Sequence, residues 1–230
     1  MLRKQILIGL GAAVVIALGI AAYFVLSPSS DATAAAGTGP NYTITPHDRT
    51  QGNPKAKVVL IEYAAPSCPV CAAFNAQTFD QLKKDYIDTG KVFYVFRIFP
   101  LRPDDGAAEK IARCLPEDKY FSFIDLLFRN QPKWDVEYAS ENPALQTPDG
   151  VRAGLITLGR IAGMSADEVN KCMANTSEDD IINKVASDGE AKYNIQGTPT
   201  IVVNGVSQGA RFFPYDDLKK ILDSALAGKT

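Results

Sequence analysis

The stretch Cys68-Pro69-Val70-Cys71 constrains the fold of this chain more than any other feature of the sequence. Residues 58–65 before it form a near-continuous apolar run with the length and composition of a buried strand. Residues 72–86 after it predict an amphipathic helix, whose apolar face consists of Phe79, Leu82 and Tyr86. The two cysteines therefore lie where a strand passes into a helix, and Pro69 suits the first helical position. The positive field of a helix N-terminus stabilises thiolates, so this is a candidate redox site.

The N-terminal residues 1–26 predict a membrane-associated segment. Arg3 and Lys4 precede an apolar stretch that is long enough to cross a bilayer, which takes about 20 residues. No Lys or Arg follows until Arg49, so the positive-inside rule predicts a cytoplasmic N-terminus and an exported domain. We favour an uncleaved anchor in the inner membrane, and the alternative is a signal peptide cleaved among the small residues 32–36. In both cases the folded domain is expected in the periplasm.

Residues 27–53 are rich in Ser, Ala, Thr, Gly and Pro and predict a flexible linker. His47, the only histidine, lies in this segment, where a solvated side chain is a better interpretation than a catalytic base. The folded domain is expected at residues 54–230. A formal net charge of -2 and the lack of basic runs argue against a nucleic-acid partner.

The order of predicted elements indicates an α/β protein. Residues 92–99 form a second apolar strand, and strand, helix and strand with a short return predict a parallel pair with a right-handed crossover. Residues 103–193 carry repeated helix signals and no strand signal, so they predict an all-helical insertion. A strand at 200–203, the hairpin turn Asn204-Gly205, a returning strand and a last helix at 215–227 complete the domain. The expected fold is a central mixed sheet flanked by helices, with the insertion between its two halves.

These features together resemble a known family. Glu62, the Cys68 to Cys71 motif at a strand-to-helix junction, the helical insertion and Gly197-Thr198-Pro199-Thr200 before a hairpin are similar to the DsbA-like thiol:disulfide oxidoreductases of the bacterial envelope. The resemblance covers residues 57–227 and implies a thioredoxin fold. It also implies a dithiol oxidase that transfers its disulfide to reduced exported proteins, is re-oxidised by a membrane redox partner and needs no cofactor.

The chemistry of the motif assigns different roles to its cysteines. Cys68 is expected to be the nucleophile that a substrate thiolate attacks in the disulfide form, and Cys71 the leaving thiol. Pro69 and Val70 form the dipeptide between them. Oxidases of the resembling family commonly have His at the position of Val70, where the imidazole helps the thiolate. Since valine supplies no charge, we expect a weaker oxidant.

The Thr198-Pro199 pair is implied by the resemblance to lie beside the cysteines. Pro199 would be a cis proline that leaves the main chain of Thr198 free to pair with an extended substrate. The alternative is an ordinary turn proline that opens an edge strand. Thr198 occurs in disulfide isomerases of the family as well as in oxidase-like members, so it does not fix the direction of electron flow.

Glu62 interrupts the first apolar strand six residues before Cys68. The resemblance implies a buried acid that exchanges a proton with Cys71 and has a raised pKa. The alternative is a carboxylate that reaches solvent or pairs with Arg97 or a lysine.

Cys114 and Cys172 are predicted on the apolar faces of two insertion helices. In an oxidising compartment they are expected to form a structural disulfide, and two separate buried thiols are the alternative. A metal site is not expected, because this second pair lacks the C-x-x-C spacing and the only histidine lies in the linker.

Two further functions stay open from the sequence. The same fold can serve a disulfide isomerase or reductase that a different partner keeps reduced. It can also serve a non-enzymatic module that binds a metal or a peptide at the same groove.

Overall fold

The computed structural model describes residues 38, 39 and 41–229. In that part of the chain, strands β1 (Thr38–Gly39) and β2 (Tyr42–Thr43) form a small antiparallel pair. The main sheet has the order β3-β5-β4-β6-β7. Its strands are β3 (Arg49–Gln51), β4 (Val58–Ala64), β5 (Val92–Ile98), β6 (Thr200–Val203) and β7 (Val206–Ala210). The membrane segment predicted at 1–26 lies outside the described residues.

The described part of the chain contains seven longer helices and three 3₁₀ turns, at Gln131–Lys133, Val136–Tyr138 and Pro143–Gln146. Helix α1 is a continuous run in which the α-helical segments Pro69–Phe74 and Asp80–Leu82 alternate with the π-helical segments Asn75–Phe79 and Lys83–Ile87. The others are α2 (Pro103–Cys114), α3 (Glu117–Arg129), α4 (Pro148–Ile161), α5 (Ala166–Met173), α6 (Ser177–Tyr193) and α7 (Tyr215–Leu226). Among the residues described, none of these helices combines the length and the apolar character that a membrane crossing requires.

The topology of the main sheet confirms the predicted fold class. Strand β4 lies at the centre, parallel to β5 and antiparallel to β6, and all its residues are buried. Helices α2 to α6 lie between β5 and β6 in the sequence and form the predicted helical insertion. Asn204 and Gly205 have φ angles of 49° and 85°, the left-handed values that a tight hairpin turn between β6 and β7 requires. The arrangement is the thioredoxin fold with an all-helical insertion.

The two faces of the sheet pack against different hydrophobic clusters. Alternate residues of β4 point to opposite faces, so Leu60 and Ala64 join the cluster that contains α1 and α7, whereas Ile61 and Tyr63 join the other. Glu62 shares the face of Leu60 and Ala64, which is the face that α1 covers. This alternation places the only acid of β4 beneath the helix that carries the cysteines.

The predicted linker is wrong at its C-terminal end. Strand β3 pairs antiparallel with β5, and Ile44 is buried in the second hydrophobic cluster. Hydrophobic periodicity could not reveal β3, because an edge strand of Arg, Thr and Gln is held by main-chain hydrogen bonds. His47 is exposed, and its main-chain oxygen accepts a hydrogen bond from Arg113 at 3.0 Å. Residues 27–37 of the predicted linker lie outside the described residues.

Candidate active site

Cys68 is the N-cap residue of α1, and Cys71 lies in the first turn of that helix. The main chain of Cys68 is extended, with φ -74° and ψ 118°, and its Sγ accepts a hydrogen bond from the main-chain N–H of Cys71 at 3.3 Å. Pro69 occupies the first turn, where a helix needs no N–H donor. The structure contains the cysteines in the dithiol form, with Cys68 4% exposed and Cys71 fully buried.

The two thiols differ strongly in acidity. Hydrogen bonds from Cys71 to the Cys68 sulfur lower the pKa of Cys68 to about 6, against the opposing effect of burial. Burial and the adjacent Cys68 raise the pKa of Cys71 well above its usual value. At neutral pH the N-terminal sulfur is therefore a thiolate and the second sulfur keeps its proton, which is the division of roles that thiol exchange requires.

Side chains of the helical insertion hold the loop before the cysteines. The buried carboxylate of Asp105 accepts hydrogen bonds from the main-chain N and the hydroxyl of Ser67. The amide of Gln131, itself 2% exposed, donates to the main-chain oxygens of Pro66 and Cys68 at 2.8 and 3.0 Å. Arg102 donates to the main-chain oxygen of Ser67 at 3.2 Å. The insertion is thus part of the site, because it fixes the main chain from residue 66 to residue 68.

Sequence reasoning missed these three loop contacts. One sequence pattern could have indicated the role of Asp105: Pro103 in the first turn of α2, followed by an acid at the third helical position, is typical of a capped helix start. Gln131 had none, because its position in a short 3₁₀ turn after α3 follows no pattern.

Glu62 is 2% exposed and lies in the sheet beneath α1. Its burial raises the pKa to about 7, partly offset by a hydrogen bond from the Tyr94 hydroxyl to Oε2 at 2.6 Å, and the Cys68 charge raises it further. The alternative pairing with Arg97 is wrong. Arg97 lies beside Tyr63 on the opposite face of the sheet, where its Nε donates to Asp48 at 2.8 Å.

The Thr198–Pro199 peptide bond is cis, and it lies directly beside Cys68. In its protonated form the Cys68 thiol donates to the main-chain oxygen of Thr198, with Sγ and the oxygen 3.3 Å apart. The alternative of a proline opening an edge strand does not apply, because β6 begins at Thr200 and lies between β4 and β7. The fold therefore brings Cys68, Cys71, Glu62 and Thr198 together from three separate parts of the chain.

Cys114 and Cys172 form a disulfide that joins the end of α2 to α5. The S–S distance is 2.07 Å and the Cα atoms are 6.1 Å apart. Cys172 is buried, as expected of a residue on an apolar helix face. Cys114 is exposed, because α2 ends at this residue and leaves it at the rim of the insertion. The alternative of two separate buried thiols is therefore wrong, since the two cysteines are bonded and one of them is exposed.

Comparison with known proteins gives concordant matches. The family model described as "Thioredoxin" matches residues 44–224. A putative protein-disulfide oxidoreductase of Rickettsia prowazekii is 29% identical over 197 residues, which cover 82% of this chain and 65% of the relative. A probable disulfide bond formation protein D of Bacillus cereus is 26% identical over 220 residues, which cover 93% of this chain and 92% of the relative.

Solved structures are also similar to this chain. The crystal structure of Wolbachia pipientis alpha-DsbA1 superposes with a TM-score of 0.68 at 26% identity, covering 81% of this chain and 94% of that protein. Among the sequence relatives, this chain spans only 65% of the length of the Rickettsia prowazekii protein, which is less than two thirds. The relatives' names describe disulfide chemistry, which is the chemistry that an asymmetric pair of buried thiols can perform.

Proposed function

Because this chain belongs to the thioredoxin family and, within it, to the DsbA-like thiol:disulfide oxidoreductases, we propose that it is a dithiol oxidase of the bacterial envelope. Its substrates would be reduced, unfolded exported proteins, to which it transfers the Cys68–Cys71 disulfide. A redox partner in the membrane would then re-oxidise it. The N-terminal apolar segment supports an exported domain, with membrane association or signal cleavage as the two possible outcomes.

The observation that carries this proposal is the position of Cys68 at the N-cap of α1, where its Sγ accepts the Cys71 main-chain N–H at 3.3 Å while Cys71 is fully buried. This geometry makes the two cysteines unequal in acidity. A Cys68 pKa of about 6 keeps the reduced protein in a stabilised thiolate form at neutral pH. Stabilising the reduced form makes the disulfide a better oxidant. The protein would therefore accept electrons from substrate thiols in preference to donating them.

The proposed reaction proceeds by two thiol exchanges. A substrate thiolate attacks Sγ of Cys68, the Cys68–Cys71 bond breaks, and Cys71 leaves with the electron pair and takes a proton from Glu62. A second substrate thiolate then attacks the substrate sulfur of the mixed disulfide, and Cys68 leaves as a thiolate. The substrate is oxidised by two electrons, and the protein ends as the dithiol with Cys68 ionised. Thr198 and Pro199 lie where the main chain of an extended substrate would pair.

The oxidising power is expected to be moderate. For DsbA itself the nucleophilic cysteine has a pKa near 3.5 and the potential is near -120 mV, so a pKa of about 6 predicts a more negative potential here. Val70, which is 40% exposed, supplies no charge to the thiolate.

The test combines a reduction potential with an oxidation assay. The purified oxidised protein should remove thiols from a reduced, unfolded multi-cysteine protein and become reduced itself, at a potential between about -120 and -230 mV. With a substrate that has a single thiol, the Cys71→Ala variant should hold a mixed disulfide at an activated Cys68. With a multi-cysteine substrate it should not turn over repeatedly, because it cannot re-form the Cys68–Cys71 disulfide. A potential near the roughly -270 mV of thioredoxin, with reduction of substrate disulfides, would make the protein a reductase and overturn the proposal.

A further inference from the structure

A cavity at the side of the domain reaches Glu62 from the surface. It has a volume of about 280 Å³ and lies between the sheet face that carries Glu62 and helices α1 and α3. Glu62 and Tyr94, each 2% exposed, line its buried end. Asp80, Ser122 and Arg129 are exposed residues that line its outer end. Since one water needs roughly 10–15 Å³ of such space, the cavity holds room for several waters.

The side cavity is separate from the surface at which a substrate meets the cysteines. Neither Cys68 nor Cys71 lines it. Cys68 is 4% exposed and Cys71 is fully buried, so a substrate joined to Cys68 would close the remaining solvent access at the cysteines. Once Glu62 has given its proton to Cys71, its buried carboxylate regains a proton either from Cys71 during re-oxidation or from solvent. Exchange with solvent while substrate covers the cysteines needs a route on another side of the site.

We propose that Tyr94 and this side cavity form the route by which Glu62 exchanges its proton with solvent while substrate is bound at Cys68. The inference rests on the proposed function, because it needs Glu62 to serve as the proton carrier of the cysteines. Tyr94 is a positioning residue in this scheme: it touches neither cysteine nor substrate and acts through the Glu62 carboxylate.

The surroundings of Tyr94 fix its hydroxyl on Glu62. Its ring packs edge-on against Phe79 with the centroids 5.0 Å apart and tilts against Phe121 at 5.9 Å. Burial raises the pKa of Tyr94 well above its usual value, so the hydroxyl keeps its proton and stays a donor. A hydrogen bond to the carboxylate favours its ionised form. Tyr94 thus keeps Glu62 able to lose its proton despite the burial.

Besides Glu62, four charged residues line the side cavity, and three of them bind partners other than Glu62. They come from α1 and α3 and are Asp80, Lys83, Asp125 and Arg129. Arg129 donates to Asp125 at 2.8 Å, Asn75 donates to the same carboxylate at 2.7 Å, and Lys83 pairs with Asp88. Tyr94 is accordingly the protein donor that the structure gives the Glu62 carboxylate.

The first test measures the pKa of Glu62 in Tyr94→Phe by carboxyl carbon NMR or by infrared titration. Losing the hydroxyl should move that pKa upward from about 7 by roughly one unit, since hydrogen bonds to charged groups are the stronger kind. The pH profile of Cys71 exchange should move by the same amount. The matched control is Tyr120→Phe, which removes a hydroxyl that donates to another buried carboxylate, Glu109. An unchanged Glu62 pKa in Tyr94→Phe, or an equal shift in Tyr120→Phe, would overturn the role of Tyr94.

The second test locates the route by the rate at which Glu62 is protonated after a pH jump from a caged proton, followed at its carboxyl infrared band. In Ser122→Leu the added side chain obstructs the side cavity, and the rate should fall at least several-fold. The matched control is Ser187→Leu, because Ser187 is also an exposed helical serine that bonds the carbonyl three residues earlier. A rate that Ser122→Leu leaves unchanged would overturn the route.

A peptide attached to Cys68 by a disulfide in the Cys71→Ala variant completes the second test. The proton route through the side cavity predicts that this cover leaves the protonation rate of Glu62 unchanged. A large drop would mean that protons enter at the cysteines and would overturn the proposal. These readouts do not depend on the direction of electron flow. A protein that fails to oxidise thiols can still show the proton route, and a protein that oxidises thiols can lack it.

Discussion

The Asp105 carboxylate binds Ser67 twice, by accepting its main-chain N–H at 2.8 Å and its hydroxyl at 2.9 Å. The same carboxylate accepts the main-chain N–H groups of Leu101 and Arg102 at 2.9 and 3.0 Å. Asp105 is fully buried, so four donors depend on one side chain that water does not reach. The start of the helical insertion and the residue before Cys68 are thereby joined at one point.

Replacing Asp105 with Asn should lower the free energy of unfolding by about 3 kcal/mol. The amide group of Asn presents N–H toward groups that are themselves donors, and buried donors without acceptors cost about 1–3 kcal/mol each. Urea unfolding of the oxidised protein measures the change. Asp104→Asn, at the neighbouring half-buried position, is the control and should stay within about 0.5 kcal/mol of the parent. A loss below 1 kcal/mol for Asp105→Asn would contradict the importance of this bond set.

The stability of the reduced protein should rise with pH relative to the oxidised protein. The folded pKa of Cys68, about 6, lies below the roughly 8.5 of an unfolded cysteine. Ionisation of Cys68 therefore adds stability that is fully present above about pH 8.5 and is lost as the pH falls through 6. The expected gain between those limits is on the order of 3 kcal/mol.

Urea unfolding of both redox forms from pH 5 to 8.5 measures this difference. The comparison removes the part of the Glu62 contribution that both redox forms share, which destabilises each as the pH rises toward 7, whereas the Cys68 charge raises the Glu62 pKa further in the reduced form alone. Because the folded pKa of Cys71 is well above its usual value, Cys71 lowers the stability of the reduced form only as the pH reaches the roughly 8.5 of an unfolded cysteine. Parallel curves for the two redox forms would show that Cys68 is not an acidic thiol.

Introducing His at position 70 should make the protein a stronger oxidant. Val70 follows Pro69 in the first turn of α1 and is exposed, so an imidazolium there would lie near the Cys68 thiolate without having to be buried. Each unit by which the pKa of Cys68 falls below 6 should raise the potential by roughly 30 mV at pH 7. Equilibration with glutathione measures the potential. Val70→Leu is the control of similar size, and an equal rise in that variant would assign the effect to packing.

Removing the second disulfide should lower stability and leave the redox chemistry intact. Cys114 and Cys172 are separated by 58 residues, and closing a loop of that length is worth about 4 kcal/mol. The double variant Cys114→Ser/Cys172→Ser should lose about that amount in urea unfolding, with an unchanged Cys68 pKa. A shift of the Cys68 pKa in this variant would indicate that the insertion tunes the thiolate through this bond.

The sequence predicts the central strands and the helix order well, because apolar runs and caps act locally. The capping box at Ser165 forms as predicted, with the Ser165 hydroxyl accepting from the Glu168 N–H at 3.2 Å. The hairpin turn at Asn204 and Gly205 forms for the same reason, since left-handed main-chain angles favour these residue types.

Features that depend on distant residues could not be predicted in this way. Strand β3 carries no apolar pattern, and its pairing with β5 depends on main-chain groups about 45 residues away in sequence. From the sequence, charge complementarity makes Arg97 an alternative partner for Glu62, beside the favoured role as a proton carrier. The alternation of side chains along β5 determines the partner of Glu62 instead. Tyr94 lies on the same face of the sheet as Glu62, and Arg97 lies on the other face.

That alternation separates two groups of charged residues by the thickness of the sheet. Arg97 and Asp48 form their ion pair on one side, whereas Glu62 and the cysteines lie on the other, with one layer of main chain between them. Spectroscopic labels or tethers attached to the Lys184 and Lys192 side of the domain, which borders Arg97, would therefore report on the protein while leaving its thiol chemistry undisturbed. Thiol-directed labels would react with the active-site cysteines themselves. Amine-directed labels on the Lys184 and Lys192 side would avoid that reaction.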